Sequence, residues 1–180
     1  GPFAGFVALL PFLAWGIARS TPVAIERLPD FEGNAALLFL PGQSLLQAIL
    51  IRLFHGPLPA GWVLDLHPFA LAGWIGIFAT MLNLIPLGQL DGGHLLYAVA
   101  GWRQRQVALV LWLLLAVAGF FWNGWFFWCA VTLAMGLRHP PVLDEATPLD
   151  PRRQRLALVA LLIFLVSFMP VPIEVVPIAF

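Results

Sequence analysis

Residues 106–136 run for 31 positions without an Asp, Glu, Lys, Arg or His. As one helix they would reach about 46 Å at 1.5 Å per residue, well beyond the roughly 30 Å hydrocarbon core of a bilayer. Trp122-Asn123-Gly124-Trp125 offers a turn in the middle. Asn-Gly is a turn dipeptide, and the flanking indoles suit a membrane interface. The stretch therefore predicts two short helices paired as a hairpin. Composition points the same way: 61% of the 180 residues are hydrophobic, 10% are charged and mean hydropathy is +0.92. Soluble domains carry about 25% charge, so the expected solvent is lipid.

Other apolar segments follow this pattern. Residues 3–18 are apolar apart from Gly and Pro and read as a spanning helix. Residues 67–86 read as a second, with Pro68 in its first turn, where a missing N–H costs nothing. Residues 156–169 read as the last, ending near Pro170-Val171-Pro172. Between the first two lies a mixed stretch, residues 19–66, with charges and five prolines, read as extramembrane or interfacial. Inside it residues 34–54 are apolar but interrupted at Pro41-Gly42-Gln43-Ser44, which suits a surface-lying or re-entrant segment more than a full span. The expected fold is all-α: a polytopic transmembrane helical bundle forming one membrane-embedded domain over residues 1–180. No cleavable signal pattern is visible, so insertion is expected to rest on the hydrophobic segments themselves.

Nine acidic and nine basic residues cancel, and every cation is Arg. With no Lys and no basic cluster, nucleic acid is excluded as a partner. Arg103, Arg105, Arg138, Arg152, Arg153 and Arg155 fall on one side if residues 106–136 form a hairpin, and the positive-inside rule makes that side cytoplasmic. The expected location is thus an integral position in a membrane, taken as a bacterial plasma membrane. The single Cys129 rules out an intrachain disulfide and reads as a small packing residue.

Against this background Asp91 stands out. It lies between two apolar runs, where an ionised carboxylate is expensive and is kept when a cation or proton path uses it. Asn83, Pro86, Gly88, Gly92 and Gly93 surround it. Proline and glycines there predict a broken helix that presents backbone and the carboxylate to a polar site. Pro86 opens the helix, and Gly92 and Gly93 permit close approach. Asn83 suits either of two roles, an amide donor to a reacting carbonyl or a packing amide. His94, three residues after Asp91, suits an outer hydrogen-bond partner of the carboxylate more than a ligand. His67 reads as an interfacial residue at a helix start, and His55 and His139 as loop residues.

The pattern Asn-x-x-Pro-x-x-x-x-Asp-Gly over residues 83–92 resembles the third-ligand motif of the site-2 protease family, the intramembrane zinc metalloproteases. Gly1-Pro2-Phe3-Ala4-Gly5-Phe6 is similar to the Gly-Pro helix start of that family. Residues 138–144 and 150–153 resemble its bacterial and plastid branch. The resemblance implies hydrolysis of peptide bonds in or near transmembrane segments of membrane-protein substrates. It also implies Zn2+ as cofactor, Asp91 as a metal ligand and Asn83 as a catalytic candidate.

One family element is missing. None of His55, His67, His94 or His139 is followed by Glu-x-x-His, the motif that supplies the family's other two ligands and its general base. The chain is therefore read as a C-terminal fragment whose remaining ligands lie upstream of Gly1, inactive by itself. The rival reading is a non-enzymatic transporter-like or scaffold relative, in which Asp91 relays protons or braces the break. Substrate and oligomeric state are not legible.

Overall fold

A computed structural model describes residues 1–25, 37–137 and 150–177. Expectations for residues 26–36 and 138–149, including Arg138 and His139, lie outside the described residues. Among the described residues seven α-helices and four short strands follow one another as α1 (Pro2–Arg19), β1 (Thr21–Ala24), β2 (Leu37–Pro41), α2 (Leu45–His55), β3 (Trp62–Asp65), α3 (Pro68–Leu84), α4 (Asp91–Ala100), α5 (Gln104–Ala118), α6 (Gly124–Met135), α7 (Pro151–Ser167) and β4 (Ile173–Pro177). The protein is mostly helical, and the all-α expectation needs one correction. Two antiparallel two-stranded sheets are present, β1 with β3 and β2 with β4. Their segments are four or five residues long and carry Pro22, Pro41 and Pro177. Each strand's partner is remote in sequence, Leu37 facing Pro177, so neither local propensity nor alternation announces them.

Among the described residues one helix, α1, is long and apolar enough to cross a membrane. α2, α3 and α6 are shorter apolar helices. Two compact units divide the chain, one made of Phe3–Ala79 with Ser167–Phe180 and the other of Thr80–Val166.

In the first unit α1 and α3 approach through small residues. A Cβ on Gly73 would sit 2.8 Å from the Leu13 backbone, and one on Gly16 would strike the backbone of Ala70. Small residues let helices pack this closely where lipid removes the hydrophobic drive between them. The C-terminal carbonyls of α1 are then satisfied by side chains. Ser20 Oγ donates to Gly16 O at 2.9 Å and accepts from His67 N at 3.0 Å, and His55 Nε2 lies 2.7 Å from Ile17 O. His67 Nδ1 accepts from Phe69 N at 3.2 Å, at the start of α3. Both histidines therefore work at helix ends.

Residues 45–55 form α2 because Ser44 and Gln47 close a reciprocal capping box, Gln47 N to Ser44 Oγ at 3.3 Å and Ser44 N to Gln47 Oε1 at 3.0 Å. Leu45, Ile49, Leu53 and Phe54 are exposed on this helix while Gln47 and Ile51 are buried. The stretch read as surface-lying or re-entrant thus holds a short strand followed by an apolar helix. Trp74 Nε1 donates to Gly42 O at 2.8 Å, and Gly42 N to Pro172 O at 2.7 Å, tying the residues before α2 to α3 and to the approach to β4.

In the second unit α5 and α6 form the expected hairpin. The turn occupies residues 119–123, slightly earlier than expected, with Phe120 and Phe121 at its exposed tip. Trp112 Nε1 donates to Cys129 O at 3.0 Å across the pair. Thr132 Oγ1 bonds back to Trp128 O at 2.7 Å, and Trp125 is fully buried. Cys129 is a buried packing residue.

Candidate functional site

The apolar run of α3 stops at Leu84, and α4 begins at Asp91. Pro86 cannot donate to a helical ladder, and Gly88 takes φ +55, the left-handed region that L side chains avoid. Leu84, Ile85, Pro86, Leu87 and Gly88 are all buried, so the break is anchored by its apolar residues. α4 restarts with Leu90 as N-cap, whose carbonyl accepts from His94 N at 3.1 Å.

Gly92 and Gly93 have a specific steric duty. A Cβ on Gly92 would collide with the carbonyls of Leu84 and Ile85, and one on Gly93 with the carbonyls of Gly88 and Leu87. The first turn of α4 therefore lies directly on the carbonyl-rich end of α3, an approach that only glycine permits.

Asp91 is the first residue of α4 and is exposed, while its neighbours Gly92 and Gly93 are buried. A carboxylate in a first helical turn is favoured by the helix dipole. It is thereby presented outward on a tightly packed turn. Asn83 and His94 are exposed as well. Asn83, Asp91 and His94 are thus accessible, while Pro86, Gly88, Gly92 and Gly93 are buried.

An accessible carboxylate fits the part of one oxygen ligand for zinc. A hydrolytic zinc takes three protein ligands. No group of three or more His, Cys, Asp or Glu that could hold a metal forms among the described residues. Of the other histidines, His55 and His67 are placed at helix ends in the first unit. Asp91 is thus one candidate oxygen ligand, and the described residues do not by themselves complete a three-ligand zinc site.

Two residues that sequence reasoning passed over belong to this region. Gln89 Nε2 donates to Met135 O at 3.3 Å and Gln104 Nε2 to Leu137 O at 3.0 Å. The available signal was an amide two residues before Asp91, and another opening the apolar hairpin.

The family model described as "Peptidase family M50" matches residues 1–121, a span that includes all of α3, the break and α4. The probable chloroplastic zinc metalloprotease EGY1 of Arabidopsis thaliana is 28% identical over 180 residues, covering 95% of this chain and 31% of that protein. The probable chloroplastic zinc metalloprotease EGY3 of Oryza sativa subsp. indica is 36% identical over 182 residues, covering 91% of this chain and 29% of that protein. A DDT domain-containing protein, PTM, of Arabidopsis thaliana is 34% identical over 103 residues, covering 56% of this chain and 6% of that protein. The chain thus spans under a third of the length of the metalloprotease relatives described. No solved structure matches.

Proposed function

Because the chain belongs to peptidase family M50, we propose that it forms part of a polytopic intramembrane zinc metalloendopeptidase. Its substrates are membrane proteins, cleaved in or near their transmembrane segments. The observation that carries this reading is the exposed Asp91 carboxylate, seated at a glycine-packed helix break inside the matched region. The zinc named in the descriptions of the metalloprotease relatives supports the choice of metal.

In this reading Asp91 contributes one oxygen ligand, and the remaining ligands come from elsewhere in the whole protein. Zinc, when bound, would supply Lewis-acid polarisation of the scissile carbonyl and an activated water. His94, one helical turn on from Asp91, would hydrogen-bond and orient the carboxylate. The Asn83 amide would donate to the oxyanion that develops on the substrate carbonyl. The exposed apolar face of α2 would lie along the membrane surface. Arg103, Arg105, Arg152, Arg153 and Arg155 would mark the positive face, cytoplasmic in a bacterial host.

The test uses the protein expressed from its complete reading frame and purified in detergent. It should hold one zinc and cleave a transmembrane substrate. Asp91→Ala should abolish cleavage and lower zinc retention. His94→Ala should cost about 10–100-fold, the usual penalty for losing a group that orients a ligand. Full cleavage by Asp91→Ala would refute the metal assignment and favour a structural carboxylate.

A further inference from the structure

We propose that Gln89 and Gly88 are positioning residues, which latch the α3–α4 break onto the C-terminal end of α6 and so fix where Asp91 points. The inference rests on Asp91 acting at the site as proposed above.

A helix ends with carbonyls that have no partner in the helix. α6 ends at Met135, followed by Gly136 at φ +88. Two carbonyls released there are taken by side-chain amides, Met135 O by Gln89 and Leu137 O by Gln104. Since both partners are acceptors, only the amide NH2 can face them. Between these two bonds a third contact leaves no space: a Cβ on Gly88 would sit 2.6 Å from Gly136 O. Residue 88 therefore meets the α6 end as bare backbone.

The other side of the break is equally constrained. Gly93, in the first turn of α4, backs onto the carbonyls of Leu87 and Gly88. The segment immediately before Asp91 is thus clamped between the α6 end and the α4 start. Gln104 is 2% exposed and opens α5, so its bond to Leu137 O fastens the start of the hairpin to its end. The α5–α6 hairpin contributes no ionisable side chain except the buried Cys129 in its apolar stretch, yet it determines how the carboxylate is held. Its role is that of a brace.

The experiment compares wild type, Gln89→Glu, Gln89→Lys and Asp91→Ala in the complete protein. Zinc retention against excess chelator, kcat, KM and the thermal midpoint are measured on each. Gln89→Glu keeps the shape, removes both N–H donors and sets an acceptor against Met135 O. It should shed zinc about tenfold faster and lower kcat about tenfold, with KM within twofold and a midpoint near wild type. Gln89→Lys restores a donor and should recover most of both losses. Charge alone predicts the reverse order, because a nearby carboxylate attracts zinc and an ammonium repels it. If Gln89→Glu fails to accumulate, the apolar Gln89→Leu carries the same expectation of loss.

Wild-type retention and kcat in Gln89→Glu, alongside an inactive Asp91→Ala, would overturn the latch and leave the Asp91 reading standing. Equal impairment of the Glu and Lys variants would also overturn it, since the donor would then not be the agent. An active Asp91→Ala would instead refute the reading on which the latch depends.

Discussion

Gly92→Ala adds a single methyl group and should be among the most damaging small changes available in this chain. Its Cβ would lie 2.5 Å from Ile85 O and closer still to Leu84 O, whereas ordinary contact starts at 3.4 Å. Both obstacles are backbone, so no rotamer change relieves them. To reach ordinary contact with both, the first turn of α4 must retreat by more than about 1 Å. Forced overpacking of this kind costs about 1–3 kcal/mol. In a chain of this size that lowers the melting midpoint by roughly 2–4 °C per kcal/mol. The functional cost should be larger, because a 1 Å misplacement of a reacting group can cost about 100-fold in rate. A control separates the two effects. Gly16→Ala creates a backbone clash of similar severity against Ala70, in the other compact unit. It should lower the midpoint comparably while leaving cleavage per folded molecule within about threefold of wild type. Thermal unfolding in detergent and cleavage normalised to folded protein measure both quantities on the same preparations. Wild-type cleavage by Gly92→Ala would refute the argument that this packing seats Asp91. An equal loss of specific activity in Gly16→Ala would show that the effect is general destabilisation.

Two further outcomes follow from local geometry. Ser44→Ala removes both the acceptor for Gln47 N and the reciprocal box, and should cost about 1 kcal/mol, read as a lowered midpoint with unchanged zinc content; no shift would show that the cap is not what starts α2. On a Cys129→Ala background, a membrane-impermeant maleimide added to intact bacterial cells expressing the protein should label Phe120→Cys, and Arg105→Cys only after permeabilisation, since the first lies at the exposed hairpin tip and the second at the Arg-bearing end. The opposite pattern would invert the proposed orientation.

Several elements were legible because their causes are local. Pro86 withholds an N–H, and the glycines around Asp91 admit backbone geometry closed to other residues, so a break was readable wherever such residues interrupt an apolar run. The hairpin was readable because an uncharged, largely apolar run of 31 residues exceeds a bilayer's thickness as one helix and Asn123-Gly124 offers a turn. Even the Ser44–Gln47 box, which had been passed over, was available in the Ser-x-x-Gln spacing. The strands were not: β2 and β4 each gain their ladder only when the other arrives from the far end of the chain.

The sequence by itself therefore determined where most of the helices run, though α7 starts at Pro151 and not at Leu156 and so takes in Arg152, Arg153 and Arg155, and it determined where the α3–α4 helix breaks and which carboxylate stands at the break. Those outcomes follow from backbone preferences and apolar length carried by each residue and its near neighbours. Tertiary structure alone decided that Gly92 and Gly93 rest on the end of α3 and that Gln89 reaches the carbonyl of Met135. It also decided that Asp91 faces outward while its neighbours are buried. An unpaired carbonyl or a missing Cβ has meaning only against the atoms it meets, and those atoms come from elsewhere in the fold.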